Sequence, residues 1–262
     1  MQIDEKHVLV TGAARGLGKA LVTRLAELKA TTVWAAVRSL DSKGVLEFKV
    51  EIENHENKEL KERIQFVQMD ITKEDEINSV ADQIPKLDIL INNAALCIPG
   101  GVFQSEPSLM YEEFEVNYFS VIRVVRAFRK LLVSQQGLIV NVASQLVRAA
   151  MPALANYSAS KSALVAISQT IRAELFSEGV KVCVVCPAGM ETDMSSAFPG
   201  EKQDIVEAAN EIIGAFDHVE GLVPIGPKAK ALFEAYSADN VAAEKSKYGL
   251  TFEALWPNGL PD

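Results

Sequence analysis

An apolar stretch, His7 to Val10, passes at once into Thr11-Gly12-Ala13-Ala14-Arg15-Gly16-Leu17-Gly18, and an amphipathic helical pattern from Leu17 to Leu28 follows. A chain that runs from strand through three glycines into helix with no intervening loop is directed early toward layered α/β architecture. Glycines at such a turn let the backbone approach a pyrophosphate, and the first N–H groups of the helix have no intrahelical partner and face it. The spacing is GxxxGxG rather than GxGxxG. The same residues also make a tight connection, but a strand before and a helix after favour dinucleotide binding.

The second strand, Thr31 to Val37, ends in Arg38-Ser39. In a dinucleotide fold this strand end meets the adenosine ribose, where an acid would bond the 2′-hydroxyl and an arginine would accommodate a 2′-phosphate. Val37 and Arg38 stand there with no acid, and Arg15 in the glycine turn adds a second cation, so NADP(H) is favoured over NAD(H). Asp41 to Glu62 is charge-rich, with Glu56 to Arg63 its helical part, and reads as a solvated face without chemistry. The third strand, Ile64 to Met69, ends at Asp70, a carboxylate suited either to an adenine amino group or to capping the helix that starts near Lys73. The fourth, Leu87 to Ile91, runs into Asn92-Asn93-Ala94-Ala95, where small residues permit close cofactor approach and the amides support the backbone.

Leu109 to Leu132 reads as one long helix whose apolar residues cover more than one stripe, which implies contact on two sides. Asn117 within it is either a buried amide with a purpose or an exposed one with none. The fifth strand, Leu138 to Ala143, ends at Ser144, and a helix carrying Tyr157 and Lys161 continues to about Phe176. Tyr157 and Lys161 lie one turn apart and share a face. A phenol has a free pKa of roughly 10, and a neighbouring ammonium lowers it toward neutrality. The sixth strand ends at Pro187-Ala188-Gly189-Met190-Glu191-Thr192. Ser144, Asn92 and Gly12 all follow strand ends, where open α/β sheets bind ligands. The alternation predicts one doubly wound, Rossmann-like domain over residues 1–262, a parallel sheet of about seven strands flanked by helices on both faces.

Composition narrows the partners. A formal charge of −9 and a pI near 5.0, with no local basic cluster, disfavour nucleic acid. No basic-then-apolar leader or apolar run of about 20 residues is present, so a cytoplasmic protein without membrane insertion is expected. Three cysteines argue against a disulfide framework, and Cys183 and Cys186, although spaced CxxC, fall in a strand whose alternation sends them to opposite faces. His7, His55 and His218 have no ligand spacing, and no metal site is expected.

Together these residues resemble the short-chain dehydrogenase/reductase superfamily from about Lys6 to Thr192: TGxxxGxG, Asp70, Asn92-Asn93-Ala94, Asn117, Ser144, Tyr157-x-x-x-Lys161, Pro187 and Thr192. The resemblance implies an oxidoreductase that interconverts a carbonyl and a secondary alcohol. Tyr157 would be the general acid/base and Ser144 would polarise the carbonyl. Lys161 would lower the tyrosine's pKa and bind the nicotinamide ribose, and Asn117 would hold a water in the proton relay. Cofactor contacts would come from Thr11, Gly12, Ala14, Arg15, Gly16, Leu17, Gly18, Arg38, Asp70, Ile71, Asn93, Ala94, Tyr157, Lys161, Pro187 and Thr192. Epimerisation or dehydration on the same scaffold, or NADP(H) sensing without catalysis, are the alternatives.

Ala95 and Ala188 replace family glycines. Relatives end in a strand and turn that build a tetramer contact, whereas Gly221 to Pro227 here reads as leading into a helix and a tail, 237–262. Residues 193–218, with Met194, Phe198 and Phe216, are expected as a lid over a substrate with a hydrophobic part. A homodimer or homotetramer through helices Leu109 to Leu132 and Leu154 to Phe176 is expected.

Overall fold

The computed structural model describes residues 1–103, 105–196 and 200–245. Its centre is a seven-stranded sheet in the order β3-β2-β1-β4-β5-β6-β7, every pairing parallel. The strands are β1 His7–Thr11, β2 Thr32–Val37, β3 Ile64–Gln68, β4 Ile89–Asn92, β5 Leu138–Val142, β6 Lys181–Pro187 and β7 Val223–Ile225. The interior strands are buried on both faces, which is why they read as continuous apolar runs. After β3 the chain returns to place β4 against the other side of β1. The carboxyl ends of β1 and β4 therefore flank the point where strand order reverses, the crevice in which open α/β sheets bind ligands.

Two cores sandwich the sheet. On one face α1 (Gly16–Glu27), α2 (Lys43–Asn54) and α8 (Ile205–Gly214) pack against Val8, Val10, Val33, Ala35, Cys183 and Val185. On the other, α4 (Glu74–Gln83), α6 (Ser120–Ser134) and α7 (Ala155–Glu174) cover Leu9, Trp34, Ile139, Val182 and Cys186, with Phe233 of α9 (Pro227–Ala238) at the margin. Cys183 and Cys186 lie on opposite faces, as strand alternation requires, and neither is in a disulfide.

Four expectations are corrected. The polar stretch after β2 holds a full helix, α2, before the short α3 (Glu59–Arg63). Val45, Phe48 and Ile52 form one narrow buried stripe, and Phe48 meets Phe66 of β3 edge to face at 5.4 Å. The long helix from Leu109 is interrupted: α5 (Pro107–Phe114) passes through a π-turn, Glu115–Phe119, into α6. Gly221 to Pro227 contains a strand, since β7 pairs in register with β6 through Val223, Pro224 and Ile225. Much of the expected lid is core: Ala208, Ala209, Ile212 and Phe216 are fully buried on the α1 side of the sheet. Met194 is exposed, whereas Phe198, Pro199 and tail residues 246–262 lie outside the described residues.

Candidate functional site

The glycine turn is held by its neighbours. Gly12 has φ +66°, and a Cβ there would stand 2.7 Å from the Ala94 Cα. At Gly18 a Cβ would stand 2.2 Å from the Gly12 carbonyl oxygen. Thr11 Oγ1 accepts the N–H groups of Asn93 at 3.0 Å and Ala94 at 3.1 Å, while Asn93 Nδ2 donates back to the Thr11 carbonyl at 2.9 Å. These bonds lock the ends of β1 and β4 together around the glycine turn. No side chain caps α1, and its first turn holds no acid, so its N-terminal donors and positive dipole end suit an anion. Ala14 lies beside the start of α2, where a Cβ on Gly44 would meet its carbonyl at 3.2 Å. Leu17 points into the core and Ile71 packs at the edge of the opposite one, so their part in any cofactor contact falls to the backbone.

The two expected phosphate arginines are divided. Arg38 is exposed at the end of β2, and its charge helps hold the Asp70 carboxyl below its ordinary value, a shift set against burial mainly by hydrogen bonds from Thr72. Arg15 instead pairs with Asp193 at 3.0 Å, both side chains largely exposed. Asp70 does not cap α4; its Oδ1 accepts from the backbone N–H and hydroxyl of Thr72.

Across the crevice, Ser144 follows β5 and its Oγ accepts the Leu146 N–H at 3.2 Å, opening a 3-10 turn. Lys161 is buried in α7, its Nζ donating to the Val142 carbonyl at 2.8 Å and lying 5.8 Å from the centre of the Tyr157 ring. Burial draws its ammonium down to about 8. The phenol is pushed up, chiefly by burial; the Ser144 hydroxyl pulls the other way as a hydrogen-bond partner. The expected lowering of the tyrosine by Lys161 is not seen: burial dominates the phenol and the ammonium is held by the Val142 carbonyl.

Asn117 is buried in the π-turn and bonded at both ends of its amide. Its Oδ1 accepts Leu96 N–H at 2.9 Å, and its Nδ2 donates to the Leu96 carbonyl at 2.7 Å and to Ser160 Oγ at 3.0 Å. Both amide hydrogens are used, so its side chain has no donor left for a relay water. Thr192 caps the 3-10 turn Asp193–Ser195 with a capping box and faces Gly16; a Cβ there would meet Thr192 Cγ2 at 3.3 Å. Pro187 ends β6.

The sequence pattern of the short chain dehydrogenase family matches residues 6–223. The chain belongs to the short-chain dehydrogenase family. It is 32% identical to a short-chain dehydrogenase of Burkholderia cenocepacia J2315 solved in complex with NADP, with a TM-score of 0.84 over 95% of this chain and 99% of that one. It is 32% identical over 204 residues to estradiol 17-beta-dehydrogenase 2 of Rattus norvegicus, covering 74% of this chain and 50% of that enzyme, so it spans about half the length of that relative. It is 28% identical over 208 residues to the 3-oxoacyl-acyl-carrier-protein reductase FabG of Vibrio cholerae, 78% of this chain and 81% of that one.

Three further buried polar residues, Asn141, Ser168 and Glu113, belong to none of the motifs named from the sequence. Asn92 Nδ2 donates to Asn141 Oδ1 and Asn141 Nδ2 to Ser168 Oγ, each at 2.8 Å, a buried ladder joining β4, β5 and α7. Glu113 in α5 is wholly buried. The available signal was the same for each: a polar residue where the periodicity calls for an apolar one.

Proposed function

We propose that this protein is an NADP(H)-dependent oxidoreductase interconverting a carbonyl and a secondary alcohol, with Tyr157 as the general acid/base. The observation that carries the reading is that Ser144, Tyr157 and Lys161 lie together on the crevice edge that also holds the glycine turn. Gly12, Gly18 and the uncapped start of α1 would receive the pyrophosphate, and Arg38 with the backbone at Ala14 would receive the 2′-phosphate. When bound, the nicotinamide supplies or takes the hydride.

Reduction leaves charge on the substrate oxygen, and the Ser144 hydroxyl is placed to stabilise it by donating a hydrogen bond. The Tyr157 phenol then gives up its proton, which requires its pKa to fall from the raised value of the buried site. Lys161 favours that fall once its ammonium turns from the Val142 carbonyl toward the reacting side. The relay water falls to the Asn117 backbone, since π-turns leave carbonyls displaced from regular α bonding. Lys161 and Thr192 would hold the nicotinamide half.

A panel of aryl, aliphatic, steroid, sugar and acyl-thioester ketones, followed by nicotinamide absorbance, tests the reaction class. Turnover without net absorbance change would indicate epimerisation or dehydration instead. Tyr157→Phe is expected to keep the fold by circular dichroism and NADPH binding by fluorescence. It should lose roughly two to four orders of magnitude in turnover; near-normal reduction would end the proposal.

A further inference from the structure

Glu113 stands one helical turn before Asn117 and is 0% exposed. Its Oε1 accepts the Ile98 N–H at 2.9 Å, and its enclosed Oε2 has no hydrogen-bond partner among the described residues. Asn117 holds Leu96 in the same way. Four helical residues rise about 6 Å at about 1.5 Å each, and two extended residues span about 6.6 Å at about 3.3 Å each. The repeats match, so helix and extended segment are stitched at alternate residues of the chain leaving β4. Cys97, between the two stitches, lies within electrostatic reach of Glu113, Tyr157 and Lys161. The segment from Leu96 to Ile98 is therefore one wall of the reaction site.

We infer that Glu113 is a positioning residue of this site, holding the Leu96–Ile98 wall against Tyr157 as a neutral carboxylic acid and releasing it on ionisation. An ionised Glu113 would bury a charge on an unpartnered oxygen; the Ile98 hydrogen bond favours that form but burial outweighs it, so the carboxylate would turn toward water and let go of Ile98. Burial pushes this carboxyl up to about 7, against the Ile98 hydrogen bond and with the charge of Glu112 adding to the rise. The groups facing it offer no compensating cation. Glu112 on its own helix is an acid, the Cys97 thiol of the wall is pushed up to about 12, and Tyr157 of α7 is pushed up as well. Lys161 of the same helix is bonded to the Val142 carbonyl and acts on Cys97 rather than on Glu113.

The inference rests on the proposed reaction only for what the wall faces, so its test does not require turnover. Glu113→Gln keeps an acceptor for Ile98 but cannot ionise; Glu113→Leu removes the acceptor. Amide hydrogen exchange over residues 95–100 is compared between proteins at each of two pH values, about 6 and about 8.5, either side of the carboxyl midpoint. Wild type and Glu113→Gln should exchange alike at the lower pH, and the wild type about tenfold faster than Glu113→Gln at the higher one. Glu113→Leu should exchange fast at both. With a ketone that is turned over, KM should rise with pH in the wild type more than in Glu113→Gln, with kcat changing in parallel in the two. Equal exchange of wild type and Glu113→Gln at both pH values, or wild-type protection in a folded Glu113→Leu, overturns the inference. If no ketone is reduced but the exchange pattern holds, the reaction proposal falls and the wall assignment stands.

Discussion

Lys161 carries a stability cost of burial that its proposed role would turn to reactivity. Its ammonium is fully enclosed, and a fall from 10.5 to about 8 corresponds to on the order of 3 kcal/mol of unfavourable burial at about 1.4 kcal/mol per unit. Lys161→Met removes that cost, loses about 1 kcal/mol from the Val142 hydrogen bond and should leave the free protein more stable by about 2 kcal/mol, a Tm rise of several degrees. The sign follows from linkage. Below about 8 both folded and unfolded chains carry the proton and the cost is complete; between about 8 and 10.5 the unfolded chain binds more protons, so wild-type stability rises with pH. The Tm gap between the two proteins should therefore close as pH rises through that window, while turnover in Lys161→Met collapses throughout. Arg38 carries the cofactor proposal at the same scale. A planar guanidinium suits phosphate oxygens, and the exposed Arg15–Asp193 pair is worth only about 0–1 kcal/mol, leaving Arg15 recruitable. Arg38→Ala should weaken NADPH binding much more than NADH binding in a fluorescence titration, and equal efficiency of the unmodified protein with the two cofactors would refute the preference.

The element that best links packing to the site is the interrupted helix from α5 to α6. Asn117 bonds both backbone groups of Leu96, and Ser160, which it also reaches, bonds the Tyr157 carbonyl at 2.9 Å. One amide thus connects the wall after β4 to the helix that carries the phenol. Asn117→Ala should cost about 1–3 kcal/mol for each buried group left unpaired, seen as a lowered midpoint in urea unfolding. Turnover should fall through misplacement of Tyr157 rather than loss of a contact. Retained stability would show that the clamp is not formed. The π-turn was illegible in advance because Leu109 to Leu132 has uninterrupted helical periodicity, and one inserted residue is decided by what Asn117 finds across the crevice. The helix α2 was missed for a related reason: among its residues only Val45, Phe48 and Ile52 are buried, and the rest of its charge pattern is that of a solvated segment.

For the whole molecule, the described surface between α6 and α7 holds a groove of about 520 Å³, lined by Tyr118, Ile122, Ile167 and Ile171 together with Arg126 and Glu174. Apolar side chains bracketed by charges of both signs suit a self-complementary contact about a two-fold axis. Light scattering at micromolar concentration should give at least a dimer, and a single monomeric mass would rule it out. No helix among the described residues is long and apolar enough to cross a membrane. The parallel, doubly wound sheet and the carboxyl-edge location of Gly12, Asn92, Ser144 and Pro187 were legible in sequence, because buried parallel strands are unbroken apolar runs and each of these residues lies at the end of one. Local spacing also determined that Tyr157 and Lys161 share a helical face. Tertiary structure alone decided what those groups bond to: that Lys161 rests on Val142, that Arg15 turns to Asp193, that Gly221 to Pro227 adds a seventh strand, and that Glu113 is shut beneath the wall. Backbone periodicity is written in neighbouring residues. The charge state and partner of a buried polar group depend on desolvation and on atoms tens of residues away in the chain, which no local pattern encodes.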